Sequence, residues 1–158
     1  MSASVEVHAH IEVGDHEIVV RLDDRTVILP IGVVSLAVTL HTDPPRPEEL
    51  TNAIGTVADH LDDVIRDRSD LVGATLTMSG PEVTAVVAVE LGGAAVLPFE
   101  LERSAAEDVF RTMATEARAD RIANPGLDAI LVDRIVAGSC AVVAVMRKLQ
   151  LDSLTVRP

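Results

Sequence analysis

Apolar and polar residues alternate at the start of the chain. Val5, Val7, Ala9, Ile11 and Val13 fall on one side, and Glu6, His8, His10 and Glu12 on the other. A period of two predicts a strand with one buried and one wet face. Gly14-Asp15 reads as a hairpin turn, Glu17 to Leu22 as a second strand, Asp23-Asp24 as a turn, and Thr26 to Ile31 as a third strand. Val33 to Leu40 fits either a strand or a short helix. After the extended Asp43-Pro44-Pro45-Arg46-Pro47 segment the period changes. Leu50, Ile54, Val57, Leu61, Val64 and Ile65 recur at helical spacing, which predicts an amphipathic helix from Pro47 to about Arg68. Leu71 to Met78 reads as a buried strand. Ser79-Gly80-Pro81-Glu82 opens a helix to Leu91, stopped by Gly92-Gly93. Val96 to Leu101 fits a short strand. Ser104 with Glu107 has the spacing of a capping box for a helix through about Ile122.

The stretch on which the rest depends runs from Pro125 to Val156. Asp128 is placed to cap a helix to about Gln150, and from Ile135 to Met146 that helix carries no charge on any face. Such a helix has to be wrapped on all sides. At roughly 1.5 Å per residue its apolar middle is too short for a bilayer, so it predicts a central helix of a soluble core. Ala137, Gly138, Ser139, Cys140, Ala141 and Ala144 are small enough for neighbours to approach closely. Leu151 to Val156 then reads as a closing strand. Three strands followed by alternating helices and strands predict one mixed α/β sheet in a single domain spanning 1–158.

Composition adds little to the picture of the core and more to that of its surroundings. The chain is 48% apolar, yet Phe99 and Phe110 are its only aromatic residues. With 25 acidic and 13 basic residues the formal charge is −12, which disfavours nucleic acid and anionic lipid as partners. Cys140 is single and falls in the apolar helix, so it predicts a small core residue. No basic region followed by an apolar run marks a secretory signal, and a cytoplasmic location is expected.

Particular residues then carry a resemblance. Leu29 to Leu36 (LPIGVVSL), Asp43-Pro44-Pro45 with the acidic helix after it, and Asn124 to Leu127 (NPGL) followed by VDRIVAGSCAVVAVMRKLQLDSLTV are similar to the second half of the exopolyphosphatase and guanosine pentaphosphate phosphohydrolase (Ppx/GppA) family. Order and spacing agree over Thr26 to Val156. The resemblance implies an actin-like, ribonuclease H-like fold, of which whole family members carry two halves around a cleft, and favours a helix for Val33 to Leu40. It also implies glycine-rich loops that hold phosphates, a divalent cation, an acid of the first half that activates water, and hydrolysis of a phosphoanhydride. No part of this sequence resembles the first half.

The phosphate-binding features of the second half are altered as well. The family's Asp-Ile-Gly-Gly-Gly-Ser hairpin is expected near Val5 to Ile11, where this chain has Val7-His8-Ala9-His10 and no glycine before Gly14. Glycines there would let backbone N–H groups close on a phosphate. The second loop, Gly-Thr at a helix N-terminus, aligns with Ser79, Gly80, Pro81 and Glu82; an alternative alignment uses Val72-Gly73. Pro81 removes a donor and Glu82 brings negative charge to the helix end where an anion would bind.

The expectation is therefore a degenerate, non-catalytic half-domain that binds, regulates or supports, pairing as a homodimer because one sheet face is left thin. A relic ligand site is expected at Ser79, Gly80 and Glu82, with no catalytic residue and no cofactor. A second expectation is half of a composite phosphohydrolase, completed with magnesium by a second copy or by a first-half homologue. A third is a zinc or other divalent-metal site at His8 and His10, flanked by Glu6 and Glu12.

Overall fold

A computed structural model describes residues 6–158, so Val5 lies outside the described residues. Strands β1 (His8–Val13), β2 (Ile18–Arg21) and β3 (Thr26–Leu29) form the antiparallel start that the alternation predicts. Helices α1 (Val33–Val38) and α2 (Pro47–Asp67) follow, and a 3-10 turn at Ser69–Leu71 leads into β4 (Thr75–Ser79). Then come α3 (Pro81–Leu91), β5 (Phe99–Glu102), α4 (Arg103–Thr115), the single turn α5 (Arg118–Arg121), α6 (Ile135–Lys148) and β6 (Ser153–Val156). The strands join in one sheet of order β3-β2-β1-β4-β6-β5. The β1–β4 and β4–β6 pairs are parallel, while β5 runs antiparallel to β6. This is the mixed α/β sheet expected from the sequence.

Helix α6 organises the core. Every residue from Ile135 to Met146 is buried, and α1, α2, α3 and α4 all pack against it. Small side chains at Ala137, Gly138, Ala141 and Ala144 allow that approach. Ser139, the polar exception, donates its hydroxyl to the Ile135 carbonyl at 2.7 Å and so leaves no unsatisfied group. The sheet is two-faced. Ala9, Ile11, Val13, Ile18, Val20, Leu76, Met78, Leu154 and Val156 are buried, whereas His8, Glu12, Arg21, Ile28 and Thr75 lie exposed at alternating positions. That second face is mixed, because His10, Val19 and Ser79 on it are buried.

Three local expectations give way to tertiary contacts. Asp128 caps only a 3-10 turn, Ala129–Leu131, accepting from the Ile130 N–H at 3.1 Å, and α6 begins seven residues after it. Ser104 and Glu107 form no capping box. Helix α4 leaves β5 directly, held by the Arg103 N–H on the Asp152 carbonyl, and Glu107 is drawn to Arg147 on α6 by two hydrogen bonds of 2.7 and 2.6 Å. The helix predicted through Ile122 stops at Thr115 because Arg121 folds back on it. Arg121 Nη1 donates to the carbonyls of Met113 (3.3 Å) and Glu116 (2.6 Å), a cation closing a helix C-terminus.

Candidate functional site

Two turns meet at one corner of the sheet. The β1–β2 turn, closed by the Gly14 N–H on the Glu17 carbonyl at 2.9 Å, abuts the junction between β4 and α3. Gly80, at φ 138°, makes that junction, and a Cβ there would stand 2.5 Å from the Val13 carbonyl oxygen. Only glycine satisfies both the backbone angle and the close approach. The start of α1 completes the corner, with the N–H groups of Val33 and Val34 donating to the carbonyls of Gly14 and Asp15, each at 2.9 Å. The hairpin expected near Val5 to Ile11 is therefore displaced in the chain. Val7 to Ile11 lies before and within β1, and the turn that reaches the α3 N-terminus is Gly14 to Glu17.

Glu82 fills this corner. It sits in the first turn of α3, 1% exposed, with neither carboxylate oxygen hydrogen-bonded. Arg134 Nη1 is 3.7 Å from Oε1, an ion-pair distance, and the same nitrogen donates to Asp15 Oδ1 at 2.7 Å. Burial pushes the Glu82 carboxyl above its ordinary range; its own backbone N–H and Arg134 oppose that shift, and Asp15 adds to it. A helix N-terminus attracts an anion through its unpaired N–H groups and dipole. Here Pro81 has removed one N–H, and the first turn of the helix carries the protein's own buried carboxylate.

Ser79 and Gly80 of the predicted loop are thus brought to the corner with Glu82, but Ser79 turns to another partner. His10 bonds the Ser79 hydroxyl through Nε2 at 2.9 Å and the Thr77 hydroxyl through Nδ1 at 2.6 Å. His10 and Ser79 are 8% and 9% exposed. Burial, then the charges of Arg157 and Arg21, lower the His10 pKa, against Glu12. The imidazole between two hydroxyls engages both of its ring nitrogens and satisfies the buried Ser79 and the part-buried Thr77 together.

To ligate a metal, His10 would have to give up one of these bonds. Its expected companion, His8, is exposed, 3.7 Å from Glu6. Among the described residues no three His, Cys, Asp or Glu side chains come together as a metal cluster. Cys140 is buried, and burial pushes its thiol up to about 12, which leaves it unreactive.

Sequence reasoning missed His10 as the partner of Ser79, and Asp15, Arg134 and Gly138 as parts of the corner. Register carries one available signal: on parallel strands His10 pairs with Thr77, two residues before Ser79. Nothing local marks Arg134, which is 119 residues from Asp15.

Fold and corner together define an actin-like α/β half-domain whose two loops meet where its sheet faces a helix N-terminus. No protein-family model matches the sequence, and no curated protein matches it. Solved structures do share the fold. The Aquifex aeolicus PPX-GPPA enzyme superimposes with a TM-score of 0.83 at 19% identity, over 97% of this chain and 54% of that one. An exopolyphosphatase-like protein gives 0.82 at 18% identity, over 95% and 55%. An exopolyphosphatase from Cytophaga hutchinsonii gives 0.80 at 13% identity, over 96% and 53%. The chain spans about half the length of the solved structures it matches, and its fold is that of one half of a Ppx/GppA protein. No helix of the described residues is long and apolar enough to cross a membrane.

Proposed function

We propose that this chain is a non-catalytic Ppx/GppA-type half-domain, acting as a binding, regulatory or structural module that pairs with a second copy. The buried Glu82 carboxylate at the α3 N-terminus carries this reading. A phosphoanhydride brings several negative charges, and this corner already holds Glu82 and Asp15 against the one guanidinium of Arg134. Admitting a phosphate group would place like charges side by side in a poorly solvated site, at a cost of several kcal/mol. Exposed apolar side chains at Val38, Ile130 and Val96, with Ile28 on the sheet, favour pairing.

The test is phosphate release from polyphosphate or guanosine pentaphosphate with magnesium present. The proposal predicts no release above a protein-free blank. Turnover of about 1 per second or more by the chain alone would overturn it.

One observation favours a second reading. The chain matches about half of each related structure, which favours half of a composite phosphohydrolase, completed by a second copy or by a first-half homologue that brings its own glycine-rich loop and acid. Release that appears only on mixing the chain with such a homologue would establish that alternative.

A further inference from the structure

A cleft of about 470 Å³ opens beside the corner, between α1 on one wall and the segment from Arg118 to Val136 on the other. That volume is in the range of small-molecule sites. One wall is apolar: Val34, Ala37 and Val38 of α1 face the cleft together with Val136 of α6, and Val38 is 73% exposed. The opposite side gathers guanidinium groups, which are scarce in a chain of net charge −12.

These guanidinium groups are not equivalent. Arg118 is held by Asp133, Nε to Oδ1 at 2.7 Å and Nη2 to Oδ2 at 3.4 Å, and Arg134 is held by Asp15. Arg121 differs. It is 6% exposed, and its Nη1 is used on the α4 carbonyls. Its Nη2 stands 3.7 Å from Asp43 Oδ1, and that oxygen instead accepts the Arg118 backbone N–H at 2.8 Å. Arg121 Nε has no hydrogen-bond partner. Nε is shut off from solvent, so the donor that can reach the cleft is Nη2, which is ion-paired with Asp43 but stands too far from it for a hydrogen bond.

We propose that this cleft binds a small aliphatic carboxylate. Its head group would accept from Arg121 Nη2, while the chain lies against Val34, Ala37, Val38 and Val136. A single negative charge fits better than two. Asp43 and Asp133 line the same cleft, so an inorganic phosphate dianion would meet carboxylates as well as arginines. The protein's overall negative field does not forbid this, because at physiological salt charges beyond about 8 Å are screened. Glu82 does not line this cleft, although Arg134 borders both, and the proposal requires neither reading of the hydrolase question.

Isothermal titration of the full chain with octanoate, octanol and inorganic phosphate tests the proposal. Octanoate is expected to bind, with octanol and phosphate each at least tenfold weaker. Arg121→Met is expected to weaken octanoate at least tenfold without affecting octanol. Because Arg121 also closes α4, that variant can unfold, so Ala37→Phe provides an independent arm. It fills the cleft wall and is expected to lower octanoate affinity at least tenfold while circular dichroism stays unchanged. Equal affinity for octanoate and octanol, undiminished binding to Ala37→Phe, or no heat at millimolar octanoate would each overturn the proposal.

Discussion

A Cβ placed on Gly138 would lie 2.4 Å from the Cβ of Glu82, so α6 presents bare backbone to the Cβ–Cγ stem of that buried side chain of α3. The same contact keeps Glu82 in the corner and lets the two helices pack. Substituting Gly138→Ala puts a methyl group into a space that does not exist. Alanine's helix propensity would return about 1 kcal/mol. Overpacking costs typically 1–3 kcal/mol, and the contact is far inside van der Waals range, so overpacking should win. Urea unfolding should show a lower midpoint for Gly138→Ala with an unchanged m-value.

Glu82 sets a pH dependence of defined sign. Its folded pKa is raised above the ordinary 4.5, chiefly by burial, so the folded state holds the proton more tightly than the unfolded one. Its contribution is fully favourable below the unfolded pKa and is lost as pH rises through the raised folded value. Glu82→Gln removes the titration. The stability of this variant relative to wild type should therefore increase as pH is raised from about 4 towards 7. A difference that is flat with pH would show that Glu82 is not held out of water.

The His10 network has the opposite sign. Burial, with Arg157 and Arg21, depresses the imidazole pKa below 6.5, so stability should fall as pH drops below that value and level off beneath the folded pKa. Ser79→Ala leaves His10 Nε2 without its partner and should cost about 1–3 kcal/mol, read by chemical denaturation. Zinc should not raise the melting temperature while both ring nitrogens are engaged. A zinc-dependent rise that His10→Ala abolishes would restore the metal-site reading.

Arg147 fixes α6 to α4 through both Glu107 oxygens and lies 5.9 Å over the Phe110 ring. The pair is partly exposed, with side-chain exposures of 46% and 22%. A double-mutant cycle of Arg147→Met and Glu107→Gln should give a coupling of about 0.5–1 kcal/mol that shrinks with added salt.

Much of this architecture is written in local pattern. The charge-free run from Ile135 to Met146 has only one stable setting, inside a layer of helices, and the alternation of Ala9, Ile11 and Val13 assigns β1 its faces. Capping signals misled where a distant side chain offered more. Asp128 could serve a 3-10 turn as well as a helix, and Glu107 gained two charged hydrogen bonds on Arg147 that a capping box could not match. The site was legible in part. Ser79, Gly80 and Glu82 do gather at one corner, but the alternation of β1 does not reveal that His10 is covered, because Thr77 and Ser79 come from a strand 67 and 69 residues away. In sequence Glu82 is a negative charge at a helix start, with nothing local to mark it as buried. Its burial follows from Gly138, which only the packed structure brings to it.

The buried carboxylate of Glu82, in the first turn of α3, is proposed to keep phosphate away from that helix end. The most direct measurement is a titration with pyrophosphate and magnesium, followed through the backbone amide resonances of Gly14, Asp15, Gly80, Glu82 and Val83. The account predicts that these resonances stay in place up to millimolar pyrophosphate. Saturable shifts confined to those five amides would contradict it.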